Sequence, residues 1–176
     1  MNNVKYILRL TVTLLLITSF VAAALAGVNA ITKDKIATIQ QEKADAAKME
    51  VLPGFDSFEE TAFTGNDKVK AVYLPVGGDG SAYVVEVAVA GFGGDITMMV
   101  GVKEGAVCGV SIVSQTETAG LGAIAADDNK GVAFRGQFAG KAESMEIGDI
   151  DTITGATITS KAVMDGVNAA LAVKLG

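Results

Sequence analysis

"SAYVVEVAVAGFGGDITMMVGVKEGAVCGVSIVSQ", residues 81–115, decides the fold. Its first third alternates, with Tyr83, Val85, Val87 and Val89 on one side and Glu86 on the other. That period of two is the mark of a strand with one buried face. "DITMMVGV" and "AVCGVSIVSQ" follow, separated only by Lys103-Glu104-Gly105. A connection this short and Gly-ended makes a hairpin, so these strands run antiparallel. Cys108 falls within the last of them, and its small thiol reads as a buried side chain.

Upstream, "KVKAVYLPV" reads as a further strand. Downstream, "TETAGLGAIAADDNKGVAFRGQFAG" is Gly-rich and irregular, with room for a short helix. The chain closes on "KAVMDGVNAALAVKL", where Val163, Val167, Ala170, Leu171 and Lys174 keep helical spacing. A block of strands with helices at both ends is an α+β arrangement.

The N-terminal end is different. From Leu10 to Thr32 no residue is charged. Roughly 20 apolar residues in a helix span a bilayer core, so this run suffices with some tilt. Lys5 and Arg9 precede it and favour a cytoplasmic N-terminus with the body exported. Ala24-Leu25-Ala26 and Val28-Asn29-Ala30 fit the small-x-small pattern of a cleaved signal peptide. The run stays apolar past both sites, which favours a retained anchor. Residues 33–50 are charged, Ala-rich and helix-prone, with a weak stripe of Ile36, Ile39, Lys43, Ala46 and Ala47, and Pro53-Gly54 ends them. The organisation is therefore an anchor over 1–32, a helical stalk over 33–54 and a folded domain over 55–176.

Composition narrows the chemistry. Half of the 176 residues are apolar, which excludes a disordered chain. Histidine is absent, and with it the commonest general base and metal ligand. A single cysteine excludes a disulfide or an iron–sulfur cluster held by this chain alone. All 20 acidic residues and 12 of the 14 basic ones lie beyond residue 31, so that part carries −8. Such a body is a poor partner for nucleic acid.

One stretch holds an excess of hydroxyls: "DTITGATITS", residues 151–160, at the mouth of the last helix. A helix start needs one capping Thr or Asp. Two other roles are open to the rest. Free N–H groups and the helix dipole make an anion site beside the small Gly155 and Ala156. Alternatively one hydroxyl carries a phosphate covalently.

These ten residues resemble the Asp-x-x-Ser/Thr-Gly-Ala-Thr pattern of the FMN-binding domain in the G subunit of Rnf electron-transport complexes. The C subunit of the sodium-translocating NADH:quinone reductase shares the pattern. Three more stretches are similar to that family in the same order. "VNAIT" ends the membrane run. "GFGG" matches a Gly-aromatic-Gly-Gly segment. "QTETAGLGA" matches a Glu-Thr-Pro-Gly-Leu-Gly loop, with Ala119 where proline is usual.

The resemblance implies a single N-terminal transmembrane helix, then an antiparallel-sheet FMN-binding domain with flanking helices. It implies FMN joined by a phosphoester to the Thr after Gly-Ala, here Thr157. Thr154, Thr159 and Ser160 are then phosphate donors, and Gly155 and Ala156 keep the site uncrowded. Glu117, Thr118, Gly120 and Leu121 would lie by the flavin ring, with Glu117 accepting from flavin N3–H. A tight turn explains Gly91, Gly93 and Gly94 as well as a flavin contact does. Asp151 caps local N–H groups or contacts the Mg²⁺ of a separate flavin transferase that uses FAD as donor. By the same resemblance the chain is an electron-transfer subunit of an ion-translocating ferredoxin:NAD⁺ oxidoreductase, with other membrane subunits as partners. A stand-alone anchored flavoprotein passing electrons to an extracellular acceptor is the alternative, and a non-redox module with Thr157 unmodified is a third reading.

Overall fold

The structure is a computed structural model and describes residues 2–78 and 80–175. Helix α1 runs without a break over Asn2–Val51. Its apolar part reaches a mean hydropathy of 2.2, and none of that window is buried by protein, so it is long and apolar enough to cross a membrane. The threonines in it do not interrupt the helix. Thr11, Thr13, Thr18 and Thr32 each donate their hydroxyl to the carbonyl four residues earlier, which satisfies the polar group locally.

The chain divides into two units, residues 1–41 and 42–176. In the second unit, five antiparallel strands form one sheet. They are β1 (Phe58–Thr61), β3 (Val69–Pro75), β4 (Ala82–Ala90), β5 (Asp95–Lys103) and β6 (Ala106–Ser114), in that spatial order. The expected hairpin closes through Glu104 and Gly105, both at positive φ (53° and 79°), as a two-residue turn between twisted strands requires. A short strand β2 (Phe63–Thr64) lies outside this sheet. The irregular segment contains a short helix α2 (Gly131–Gly136), and the last long helix is α3 (Thr157–Leu171).

Both faces of the sheet are covered. Val85, Val87 and Val89 of β4 join Met98 and Val100 of β5 in the main core, under Val163, Val167 and Ala170 of α3. The opposite face of β4 and β5 carries apolar residues too. Val84 and Met99 pack with Ala47, Val51 and Leu52, so the end of α1 forms the other layer. Its seat is a pair of cross-strand glycines, Gly101 and Gly109. A Cβ at Gly101 would collide with the Val51 carbonyl, whose carbon would lie 2.8 Å away, and one at Gly109 would lie 3.3 Å from Val51 Cα. Beside this contact Lys48 is buried, with Nζ 2.9 Å from Asp45 Oδ1 and 4.0 Å from the centre of the Tyr73 ring.

Two expectations from sequence are corrected. Cys108 is exposed, not buried. It lies on β6, the edge strand, where the pairing with β5 skips it: Gly101 pairs with Gly109 and Val102 with Val107, a β-bulge that leaves Val107 and Val110 buried and Cys108 facing out. Lys174 is not helical. The helix stops at Leu171, and Lys174–Leu175 form a strand β7 that pairs with β2, so tertiary pairing overrides the helical spacing.

Candidate functional site

Three chain segments meet at one end of the sheet: the Gly91–Gly94 turn between β4 and β5, the loop after β6, and the start of α3. Glu117 joins them. It is buried, and its Oε1 accepts from the Gly93 N–H at 2.8 Å. Its Oε2 accepts a short hydrogen bond from the Thr159 hydroxyl. The glycines around it are required by space. A Cβ at Gly91 would strike Glu117 Oε1, one at Gly93 would strike the Thr116 carbonyl, and one at Gly122 would lie 2.5 Å from both Glu117 Oε2 and Thr159 Oγ1. The turn closes with Gly91 N–H donating to Gly94 O at 2.8 Å. The opposite loop closes with Leu121 and Ala123 N–H donating to Thr118 O, bonds in which residue 119 takes no part.

Helix α3 starts within the hydroxyl-rich stretch. The cap position is Ala156, and no side chain caps the helix. An ordinary capped start is thus excluded, and the N–H groups of the first turn have no intrahelical acceptor. The hydroxyls have distinct fates. Thr159 donates to Glu117. Ser160 is fully buried, donates to Ala156 O and accepts from Ile153 N–H, each at 3.0 Å. Neither therefore aims a free donor at a phosphate, contrary to the expectation from the resemblance, because both are used to shape the loop. Thr154 and Thr157 are exposed. Thr157 lines the cleft described below, while Thr154, Ser160 and Gly120 lie outside its lining. Gly155 has φ +77°, and a Cβ there would meet Leu121 Cδ2 at 3.2 Å.

Asp151 is exposed, and its main chain is clamped by Gln137, which accepts from its N–H at 2.7 Å and donates to its carbonyl at 3.0 Å. Its carboxylate caps no N–H group among the described residues, which removes the capping role expected for it.

Glu117, Thr118, Leu121, Gly155, Ala156, Thr157 and Thr159 converge on a cleft of about 390 Å³. Ligand clefts typically fall between roughly 300 and 1,000 Å³. The cleft has two characters. One end is the uncapped start of α3, suited to an anion. The walls are apolar, from Leu121, Ile158 and Phe92. That combination fits a flat, largely apolar ring system bearing a phosphate. Sequence marks Phe92 only as the aromatic of the GFGG match and assigns it no role, although an aromatic residue amid three glycines has no strand or helix face on which to pack. Among the described residues no group of three or more His, Cys, Asp or Glu side chains is placed to hold a metal.

Residues 91–172 match the FMN-binding domain family, and these residues include every segment of the cleft. The chain therefore carries an FMN-binding domain. It is 30% identical to the G subunit of the Na⁺-translocating ferredoxin:NAD⁺ oxidoreductase complex of Acetobacterium woodii, over 96% of this chain and 92% of that one. It is 31% identical to the G subunit of the ion-translocating oxidoreductase complex of Methanosarcina acetivorans, over 97% and 96%. The fold is similar to that of the C subunit of the Na⁺-translocating NADH-quinone reductase from Parabacteroides distasonis (TM-score 0.55, 17% identity, covering 78% of this chain and 92% of that one). The protein belongs to the G-subunit family of ion-translocating (Rnf) oxidoreductase complexes.

Proposed function

We propose that this chain relays electrons within an ion-translocating ferredoxin:NAD⁺ oxidoreductase complex, through FMN bound to Thr157 as a phosphoester. The observation that carries the assignment is the contrast among the hydroxyls. Thr159 and Ser160 are buried and committed to internal hydrogen bonds, whereas Thr157 is exposed in the cleft at an uncapped helix start. A phosphate there gains the N–H groups and dipole of α3, worth about 0.3–1 kcal/mol.

When bound, FMN supplies the redox chemistry, and the chain supplies position and electrostatics. Thr157 holds the phosphate end, and the Thr154 hydroxyl and the first-turn N–H groups are its donors. Glu117 fixes the Gly91–Gly94 turn against α3 and keeps lone pairs for the flavin N3–H. Attachment replaces the Thr157 O–H bond by O–P, with AMP leaving from FAD and the proton passing to a separate transferase. Histidine is absent, and among the residues of the cleft Glu117 is already engaged, so self-attachment lacks a base. Asp151 is exposed, and in this reading its carboxylate contacts the Mg²⁺ of that transferase. In this reading residues 1–32 are a single-pass anchor with a cytoplasmic N-terminus, 33–54 lead away from the membrane, and 55–176 hold the flavin outside.

Expression with the transferase should give a fluorescent band on a denaturing gel. Thr157→Val should abolish it without altering the circular dichroism, and the chain should copurify with other membrane subunits. A band that survives in Thr157→Val but not in Thr154→Val would place the bond elsewhere. A labelled, active chain that purifies alone would favour a stand-alone flavoprotein.

A further inference from the structure

Phe92 is 70% exposed, yet the turn that bears it is firmly tied. Gly91 N–H donates to Gly94 O at 2.8 Å, Gly93 N–H to Glu117 Oε1 at 2.8 Å, and Thr116 Oγ1 to Gly93 O at 3.2 Å. None of the three glycines has room for a Cβ. The fold thus fixes the backbone that presents a large aromatic ring at the cleft, where the ring adds little to the core. Leu121 and Ile158, 43% and 56% exposed, line the same cleft. Exposed apolar side chains that converge on a concave site are surface kept for a ligand.

We infer that Phe92 is the aromatic contact of the isoalloxazine ring, and that Glu117 positions it through the Gly93 N–H. This rests on the reading that Thr157 carries FMN. Aromatic rings favour offset or edge-on contact with another π-system, and contact here removes apolar surface of both from water. The route also gives Glu117 an effect on the ring that needs no contact of its own, because loss of its carboxylate frees the turn on which Phe92 stands.

The chain contains no tryptophan, and its three tyrosines, Tyr6, Tyr73 and Tyr83, lie outside the cleft lining. An indole in contact with an excited flavin donates an electron to it and quenches its emission, whereas a phenyl ring does not. The test uses the full chain, flavinylated by the transferase, with emission measured per covalently bound flavin. Phe92→Trp should lose emission severalfold. Val132→Trp, at another exposed apolar position outside the cleft, should keep the wild-type value. Phe92→Leu should remain flavinylated and become more accessible to iodide. A fully flavinylated Phe92→Trp with wild-type emission would overturn the inference while leaving the attachment intact, and lost electron transfer in that variant would make Phe92 a contact for another protein of the complex. If wild type itself carries no flavin by mass, the attachment reading fails and this inference with it.

Discussion

Thr159 Oγ1 donates to Glu117 Oε2 between residues 42 apart in sequence, and this contact fastens the first turn of α3 to the loop after β6. Thr159 is 1% exposed, and no salt bridge among the described residues compensates Glu117. The carboxylate is held by hydrogen bonds alone. Glu117→Ala should strand the Thr159 hydroxyl and cost about 1–3 kcal/mol. Urea unfolding should show a lower midpoint at unchanged slope. Glu117→Gln keeps one acceptor oxygen and should fall between the two. An alanine variant as stable as wild type would mean the contact contributes nothing.

The seat of α1 yields a second prediction. Gly101→Ala places a methyl group against the Val51 carbonyl and should destabilise by about 1–3 kcal/mol. Lys48, 7% exposed in the native fold, should become a site of rapid tryptic cleavage. Gly136→Ala enters open space in α2 and should be neutral or stabilising by up to about 1 kcal/mol. Equal behaviour of the two variants would contradict the close approach.

Tyr73 should limit stability at high pH. Burial first, then its hydrogen bond to Glu86 and the charge of that carboxylate, raises its phenol well above the ordinary value of 10.0. The folded state favours the neutral phenol. Its contribution is complete below about pH 10 and is lost as pH rises towards the folded value. Wild type should therefore lose stability above pH 10, and Tyr73→Phe should lose less across the same interval. Denaturation midpoints between pH 8 and 11 would show identical slopes if Tyr73 had no such role.

Cys108 should be available but slow to react. It is exposed, yet burial of part of its surroundings raises its thiol pKa, the nearby Lys103 opposes that shift, and Glu104 adds to it. The thiolate is the nucleophile, so alkylation by iodoacetamide at pH 7 should be slower than that of a small thiol and should accelerate only at higher pH. A rate at pH 7 above that of glutathione would contradict this.

The sheet is legible in the sequence because β4 alternates with period two and a two-residue Glu104–Gly105 turn joins β5 to β6, both local signals. The second covered face is not. Val84 and Met99 have no partner until Ala47, Val51 and Leu52 pack on them, and the glycines that seat Val51 are paired across strands rather than along the chain. Cys108 reads as buried because the bulge that turns it outward leaves no mark in the apolar run around it. Lys174 reads as helical because a two-residue strand leaves no periodicity to detect. At the site, Thr157 and the loop of Glu117 stand out as motifs. The commitment of Thr159 and Ser160 does not, since it depends on which side of α3 faces inward. For Phe92, GFGG marks the turn as a motif but does not show that the ring is left exposed at the cleft, because that depends on what the fold leaves around it.

The central claim is tested most directly by the mass of one tryptic peptide, residues 142–161 between Lys141 and Lys161, from chain made in cells that contain the flavin transferase. The account predicts that the peptide is heavier by FMN less one water and that fragmentation places the addition on Thr157. An unmodified peptide, or one modified at Thr152, Thr154, Thr159 or Ser160, would contradict it.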